Sequence, residues 1–275
     1  MLAFPNAKIN IGLNIIERRT DGFHNIESMM VPIPLCDTLE IVRDKKGADG
    51  SCDLQVLGLT VEGSVTENLC FKAYEILNEK YSLPAVKIRL LKNIPMGAGL
   101  GGGSSDAAFT VKLLNELFDI NLSNQEMEHF CAMLGSDCSF FIRNECALAS
   151  GKGEIIEPVN LGLSGIHVVV IHPGLHINTA QAYAGIIADP SKKGTLTEAL
   201  SAPNEQWKIS IRNDFEEGAI TRNPELGAIK DRLYEAGAFY ACMTGSGSSF
   251  FGLFDHAPTL ELSRLNQEVW VGKLK

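Results

Sequence analysis

Five of the seven residues from Gly97 to Gly103 are glycine, within the run Pro95-Met96-Gly97-Ala98-Gly99-Leu100-Gly101-Gly102-Gly103-Ser104-Ser105. Each glycine weakens a helix or strand by ~0.5–1 kcal/mol relative to alanine, so the run is poor material for regular structure. Its flanks are regular. Val86 to Leu91 alternates as a strand leading to Pro95, and Ala107, Ala108, Val111, Leu114 and Leu117 then give an apolar helix face. The chain is thus predicted to pass from a strand directly into a helix that starts near Ser104. With no Cβ in the way, successive N–H groups there can converge on an anion, and the helix start adds unpaired amides and the positive end of its dipole. A flexible linker or tight turn is the plainer alternative, but linkers seldom join a strand to an amphipathic helix.

Two better-known phosphate loops fare differently against this sequence. G-x-x-x-x-G-K-[ST] is absent, because Gly151-Lys152 is followed by Gly153 and Gly272-Lys273 by Leu274. Gly97, Gly99 and Gly102 do fit G-x-G-x-x-G, the dinucleotide fingerprint, with Glu116 near the distance of a ribose-binding acid. That acid should end the next strand, whereas Glu116 falls in the predicted helix. A nicotinamide-dependent oxidoreductase is therefore the second reading of the loop, behind phosphoryl transfer from ATP to a small-molecule hydroxyl.

The rest of the chain reads as two domains, the default for 275 residues. Lys8–Ile16, Thr38–Val42 and Asp53–Leu57 alternate as strands. A helix follows Thr66, with Leu69, Ala73, Ile76 and Leu77 on one face. A second carries a capping box, Ser123 with Glu126, a stripe of Met127, Phe130, Cys131 and Leu134, and a stop at Gly135. Glycines and Pro158 mark a boundary in residues 151–165 before an apolar strand, Ile166 to Ile171. Later come a helix with Asn223 as cap and Pro224 at its first position, ending at Gly237, strands Phe239–Met243 and Phe250–Phe254, a helix near Pro258, and a last strand at Val269–Val271. That order suggests an antiparallel sheet covered by helices on one face.

A net charge of −9 disfavours a broad basic footprint, so neither nucleic acid nor an anionic membrane is expected as a partner. The seven cysteines form no C-x-x-C pair and read as reduced core thiols. No apolar stretch approaches the length of a membrane span, and polar residues interrupt the N-terminus, so a cytoplasmic protein is expected.

Other segments are ambiguous alone. Thr244-Gly245-Ser246-Gly247-Ser248-Ser249 is either a hairpin or a turn bordering a ligand. Lys8 is a surface strand lysine or a site residue, Asp137 a helix-terminus residue or a base. Asp21-Gly22 predicts a turn, after which His24 is a satisfied histidine or a ligand-binding one.

Together these segments resemble the GHMP small-molecule kinases, whose second motif is similar to Pro95–Ser105 nearly residue by residue. Pro5-Asn6-Ala7-Lys8-Ile9-Asn10 and Asp21-Gly22-Phe23-His24 resemble the branch acting on a cytidine-linked methylerythritol. Leu134-Gly135-Ser136-Asp137, Asn213-Asp214-Phe215-Glu216 and Thr244-Gly245-Ser246-Gly247 extend the likeness over most of the chain. The resemblance implies an α+β, two-domain GHMP kinase fold: an N-terminal ATP-binding α+β domain over residues 1–155 and a C-terminal ferredoxin-like α+β domain over 156–275. It implies phosphorylation of the substrate's 2-hydroxyl in the non-mevalonate route to isoprenoid precursors. By position, Asp137 handles the hydroxyl proton and Lys8 stabilises negative charge. Pro95, Met96, Gly97, Ala98, Gly99, Leu100, Gly101, Gly102, Gly103, Ser104 and Ser105 would hold ATP, with Asn68 and Lys92 to Met96 near the adenine. Cytosine would lie between Phe23 and Tyr183 with His24 at its edge, and Asn10, Thr179 and Gly245 near the reacting end. Mg²⁺ would bridge phosphate oxygens without a dedicated set of protein ligands. A monomer or weak homodimer is expected. Ala98, Phe23 and Asp106 stand where glycine, tyrosine and asparagine are common in the family.

Overall fold

A computed structural model of the chain describes residues 1–61, 63–258 and 267–275. The chain opens with a short strand β1 (Leu2–Ala3) and a long one, β2 (Asn6–Arg18), buried from Asn6 to Ile16 on both faces. The Asp21-Gly22 turn, with Gly22 at φ +87° as the dipeptide predicts, leads into β3 (His24–Cys36). Next come β4 (Thr38–Arg43), β5 (Cys52–Gly58), α1 (Leu69–Tyr81), β6 (Val86–Lys92), α2 (Gly102–Leu117), α3 (Asn124–Leu134) and α4 (Phe140–Arg143). The second half holds β7 (Ala147–Ser150), β8 (Ile155–Pro158), β9 (His167–His172), α5 (Thr179–Ala184), α6 (Thr195–Leu200), α7 (Asn204–Ser210), α8 (Glu216–Arg222) and α9 (Glu225–Glu235). Strands β10 (Tyr240–Met243), β11 (Phe250–Phe254) and β12 (Glu268–Lys273) complete the described elements. The helix expected near Pro258 falls outside the described residues.

Two compact units emerge, each drawn from three stretches: Met1–Ala7, Leu35–Met96 and Gly101–Glu145 in one, Lys8–Pro34, Gly97–Leu100 and Cys146–Lys275 in the other. This grouping interleaves the chain, unlike a single cut after residue 155.

The first unit is built on a sheet in the order β1-β4-β6-β5, with β5 and β6 parallel and the other pairs antiparallel. Period-2 alternation puts Leu39, Ile41, Ile88 and Leu90 inside. Helix α1 makes the crossover that parallel β5 and β6 require. Its buried face is Cys70, Ala73, Tyr74 and Leu77, with Leu69 and Ile76 only half-buried. The face is rotated from the predicted one because Tyr74 turns inward, its hydroxyl donating to Pro84 O at 3.1 Å. Helix α3 starts as predicted: Ser123 Oγ accepts from Glu126 N, and Glu126 Oε2 accepts from Ser123 N at 2.9 Å.

In the second unit β2, β3, β7 and β8 lie side by side, and a second, antiparallel sheet has the order β10-β11-β9-β12. One face of the latter packs Val169, Ile171, Ala241, Met243, Phe250 and Phe254 against Leu226, Ile229 and Leu233 of α9 and Phe215 beside α8. The opposite face is covered too. Val168, Val170 and Phe251 are buried there, and Trp207 of α7 packs edge-on to Tyr240 at 6.0 Å. The expectation of cover on one face alone is thus corrected: residues 168–171 of β9 and Phe250–Phe254 of β11 are apolar at every position, and such runs bury both sides. Helix α9 also begins one residue later than predicted. Pro224 occupies the cap position at φ −58°, and Asn223 contributes its carbonyl to Leu226 N at 3.0 Å rather than a side-chain cap. Among the described residues no helix is long and apolar enough to cross a membrane.

Candidate active site

In the first unit, α2 begins inside the glycine run, two residues before the expected start. Gly101 is its cap at φ +70°, and Ser105 N donates to Gly101 O at 2.9 Å. The amides of Gly102, Gly103 and Ser104 have no carbonyl a turn earlier to bond, the condition for an anion site at a helix start. The glycines differ in what they do. A methyl group on Gly102 would meet Ile94 Cγ2 at 2.8 Å, so Gly102 is required by packing, whereas one on Gly103 meets nothing closer than 3.9 Å.

Asp137 lies in the turn between α3 and α4, half-buried. That turn is tied down: Cys138 N donates to Gly135 O at 3.1 Å, and Ser139 Oγ to Glu128 O at 3.0 Å. The Cys138 thiol is buried, which pushes it up to about 12 against a smaller lowering by the neighbouring Ser104 hydroxyl. A carboxylate thus stands next in sequence to a residue that neighbours the first turn of α2, and α4 beyond it is fastened to α2 by Lys112 Nζ, which donates to Phe141 O at 2.7 Å. Asn68 caps α1, its Oδ1 accepting from Cys70 N at 2.9 Å.

Lys92 is fully buried and committed elsewhere than to a ligand. Its Nζ donates to Asp106 Oδ2 at 2.7 Å and to Asp37 Oδ2. The other Asp37 oxygen accepts from Asn93 N and Ile94 N. Burial raises the Asp106 carboxyl to about 7, partly offset by attraction to Lys92 and reinforced by repulsion from Asp37. Burial opposes the charge on Lys92, yet the two aspartates outweigh it and raise its pKa. Two carboxylates and one ammonium leave one excess negative charge, and Asp106 Oδ1 and Ser105 Oγ are buried with no partner among the described residues. A proton on Asp106 resolves the imbalance. Sequence reasoning missed this triad, since Asp37, Lys92 and Asp106 come from three distant segments.

In the second unit, Lys8 is 3% exposed; its Nζ donates to Asn10 Oδ1 at 2.5 Å and to Gly99 O at 3.1 Å. Asn10 Nδ2 donates to Ser28 Oγ at 2.8 Å, whose hydroxyl in turn donates to Gly12 O at 2.7 Å. Lys8 N also holds Leu100 O at 2.9 Å. The two glycine-rich turns come together here: Ser249 N donates to Ala98 O, and Thr244 Oγ1 reaches Gly99 O at 3.1 Å. Gly99, at φ +78°, would place a Cβ 2.0 Å from Thr244 O, and Gly245, at φ +57°, one 3.1 Å from the Gly99 backbone. Thr244–Ser249 is therefore no ordinary hairpin. Asn213 fixes it, donating to both Met243 O and Gly245 O at 2.8 Å. Asn213 was legible only as part of a motif; its role was not.

Among the expected base-binding residues, the ring against Tyr183 is that of His24, stacked at 4.8 Å and 19°. Burial, then the charge of Arg18, lowers the His24 pKa. Phe23 is 56% exposed, with Lys152 Nζ 4.9 Å over its ring. Thr179 begins α5, its hydroxyl 3.0 Å from Ser246 Oγ. Glu116 lies within α2, and α3 rather than a strand follows, so the dinucleotide fingerprint lacks its βαβ unit.

Comparison with known proteins agrees with this arrangement. The GHMP kinases N terminal domain matches residues 68–145, and the GHMP kinases C terminal domain matches 193–268. A 4-diphosphocytidyl-2-C-methyl-D-erythritol kinase of Bacteroides thetaiotaomicron is 46% identical over 260 residues, 94% of each chain. The enzyme of that name from Parabacteroides distasonis is 42% identical over the whole of both chains. Among solved structures, a 4-(cytidine 5'-diphospho)-2C-methyl-D-erythritol kinase superposes with a TM-score of 0.81 at 31% identity, covering 100% of this chain and 99% of its own. A mevalonate kinase shares the fold, with a TM-score of 0.75 at 16% identity, covering 100% of this chain and 99% of its own. The chain belongs to the GHMP kinase family, among the 4-diphosphocytidyl-2-C-methyl-D-erythritol kinases.

Proposed function

We propose that this protein transfers the γ-phosphoryl group of ATP to the 2-hydroxyl of 4-(cytidine 5'-diphospho)-2-C-methyl-D-erythritol, a step of the non-mevalonate route to isoprenoid precursors. The named relatives support the substrate. The observation that carries the chemistry is the turn of Asp137, which leads into α4, itself fastened to α2 by the bond from Lys112 Nζ to Phe141 O. It sets a proton acceptor next to amides suited to phosphate.

Phosphoryl transfer passes through a loose transition state, so positioning and charge stabilisation dominate. The N–H groups of the glycine run and α2 hold the phosphates. Asp137 orients the acceptor hydroxyl and takes its proton as the bond to phosphorus forms. Lys8, fixed on Gly99 O, stabilises charge on the transferring oxygens. Phe23, His24 and Tyr183 supply the flat surfaces for the cytosine ring, and Asn10, Thr179 and Gly245 border the reacting end. Magnesium takes oxygen ligands and binds through substrate phosphates with few carboxylates. Asp137 and the orphaned Ser105 hydroxyl offer such oxygens, and a bound ion would neutralise charge on the phosphates.

Asp137→Asn is expected to lower turnover by ~10²–10⁴-fold with little change in either KM, the usual contribution of a positioned base. Near-normal turnover in steady-state assays removes Asp137 from this role. Lys8→Ala should also lower kcat; a change confined to the KM for ATP would make it a nucleotide-binding residue.

A further inference from the structure

The run Pro95–Ser105 contains no cationic side chain, so any phosphates it holds draw charged donors from other segments, Lys8 on Gly99 O being one. The segment between β9 and α5 runs beside the Thr244–Ser249 turn, which itself bonds Ala98 O and Gly99 O of the run. His172 Nδ1 is 3.2 Å from Ser249 Oγ, and Leu175 O accepts from Ser248 Oγ. Ile177 Cδ1 lies 3.0 Å from where a Cβ on Gly247 would stand, and Thr179 meets Ser246. Between these anchors, His176 lays its ring on Gly97. A methyl group on Gly97 would come within 2.4 Å of His176 Nδ1 and 2.6 Å of Cε1. The side chain is exposed, and among the described residues its ring makes no hydrogen bond or ion pair.

An exposed imidazole held between fixed neighbours, over the first glycine of a loop that lacks its own cation, has a donor to offer and no internal use for it. We propose that His176 is a phosphate-binding residue, donating a ring N–H to anionic oxygens along the Gly97–Leu100 turn. This rests on the kinase reading above. The oxygens belong to ATP or to the diphosphate of the acceptor, which share the same chemistry.

The test uses the full chain and inorganic tripolyphosphate, titrated calorimetrically into wild type, His176→Ala and His176→Arg at one ionic strength. Hydrogen bonds to charged groups predict about tenfold weaker binding for His176→Ala. His176→Arg, which restores a donor, should bind within about threefold of wild type, and both variants should melt as wild type does, since the side chain is exposed. Equal affinity of wild type and His176→Ala, or no binding by wild type, overturns the proposal. In kinetics, His176→Ala should raise one KM while kcat holds: that of ATP if the nucleotide supplies the oxygens, that of the acceptor if its diphosphate does. A fall in kcat with both KM values unchanged also overturns it. Wild type forming no ADP would instead defeat the kinase reading, with the tripolyphosphate titration still deciding His176.

Discussion

Asp106 is a buried carboxyl whose surroundings set what its proton is worth. With its carboxyl raised to about 7, the folded protein holds a proton that the unfolded chain releases near pH 4. The stabilisation from that proton is complete below about pH 4 and is lost as pH rises through 7. Asp106→Asn keeps an oxygen for Lys92 and removes the excess charge. Unfolding free energies measured from pH 4 to 7 should show the variant gaining steadily on wild type, at up to about 1.4 kcal/mol per pH unit; parallel curves would show that Asp106 carries no proton. The glycines make a second contrast. Gly99→Ala forces a methyl group onto Thr244 O at positive φ and should destabilise by about 2 kcal/mol or more. Gly103→Ala has room within α2 and should stabilise by up to about 1 kcal/mol. If the run holds phosphate, Gly103→Ala should nonetheless raise the KM for ATP, a split that melting and kinetics resolve together.

Among the elements, those with strong local signals were legible. The capping box of α3, the strand-to-helix passage around Gly97–Gly103 and β11 appear where propensity and pattern put them. Strand β3 was not legible, because Pro32 and Pro34 lack the N–H of a ladder residue and argue against a strand. The burial of β2 on both faces and the inward turn of Tyr74 were set by tertiary packing that no local pattern records. For the site, motif residues were legible and their fastenings were not. Asn213 lies in the sequence as one of a recognisable quartet, yet its bonds to Met243 O and Gly245 O depend on a turn thirty residues away. The segment bearing it also pairs with β2: Leu13 N donates to Arg212 O and Asp214 N to Leu13 O, both at 2.9 Å. Asn213→Ala should leave two buried carbonyls unpaired, costing about 2–4 kcal/mol in denaturant melts and lowering turnover. Unchanged stability would show that the Thr244–Ser249 turn holds its shape unaided.

Across the whole molecule, the two compact units each draw on separate stretches of the chain. Leu13, Ile15 and Ile26 join the same core as Val169, Ile171, Leu226 and Phe250, so the C-terminal sheet depends on N-terminal strands. Residues 156–275 expressed alone should therefore fail to unfold cooperatively by circular dichroism; a sharp transition in that fragment would contradict the interleaved core. The central claim concerns the reaction. Incubating the protein with ATP, Mg²⁺ and 4-(cytidine 5'-diphospho)-2-C-methyl-D-erythritol, and following the products by phosphorus NMR, tests it most directly. ADP should appear with an equal amount of a new monophosphate ester at the 2-position, and Asp137→Asn should suppress both. An unchanged spectrum, or ADP formed without the ester, would contradict it.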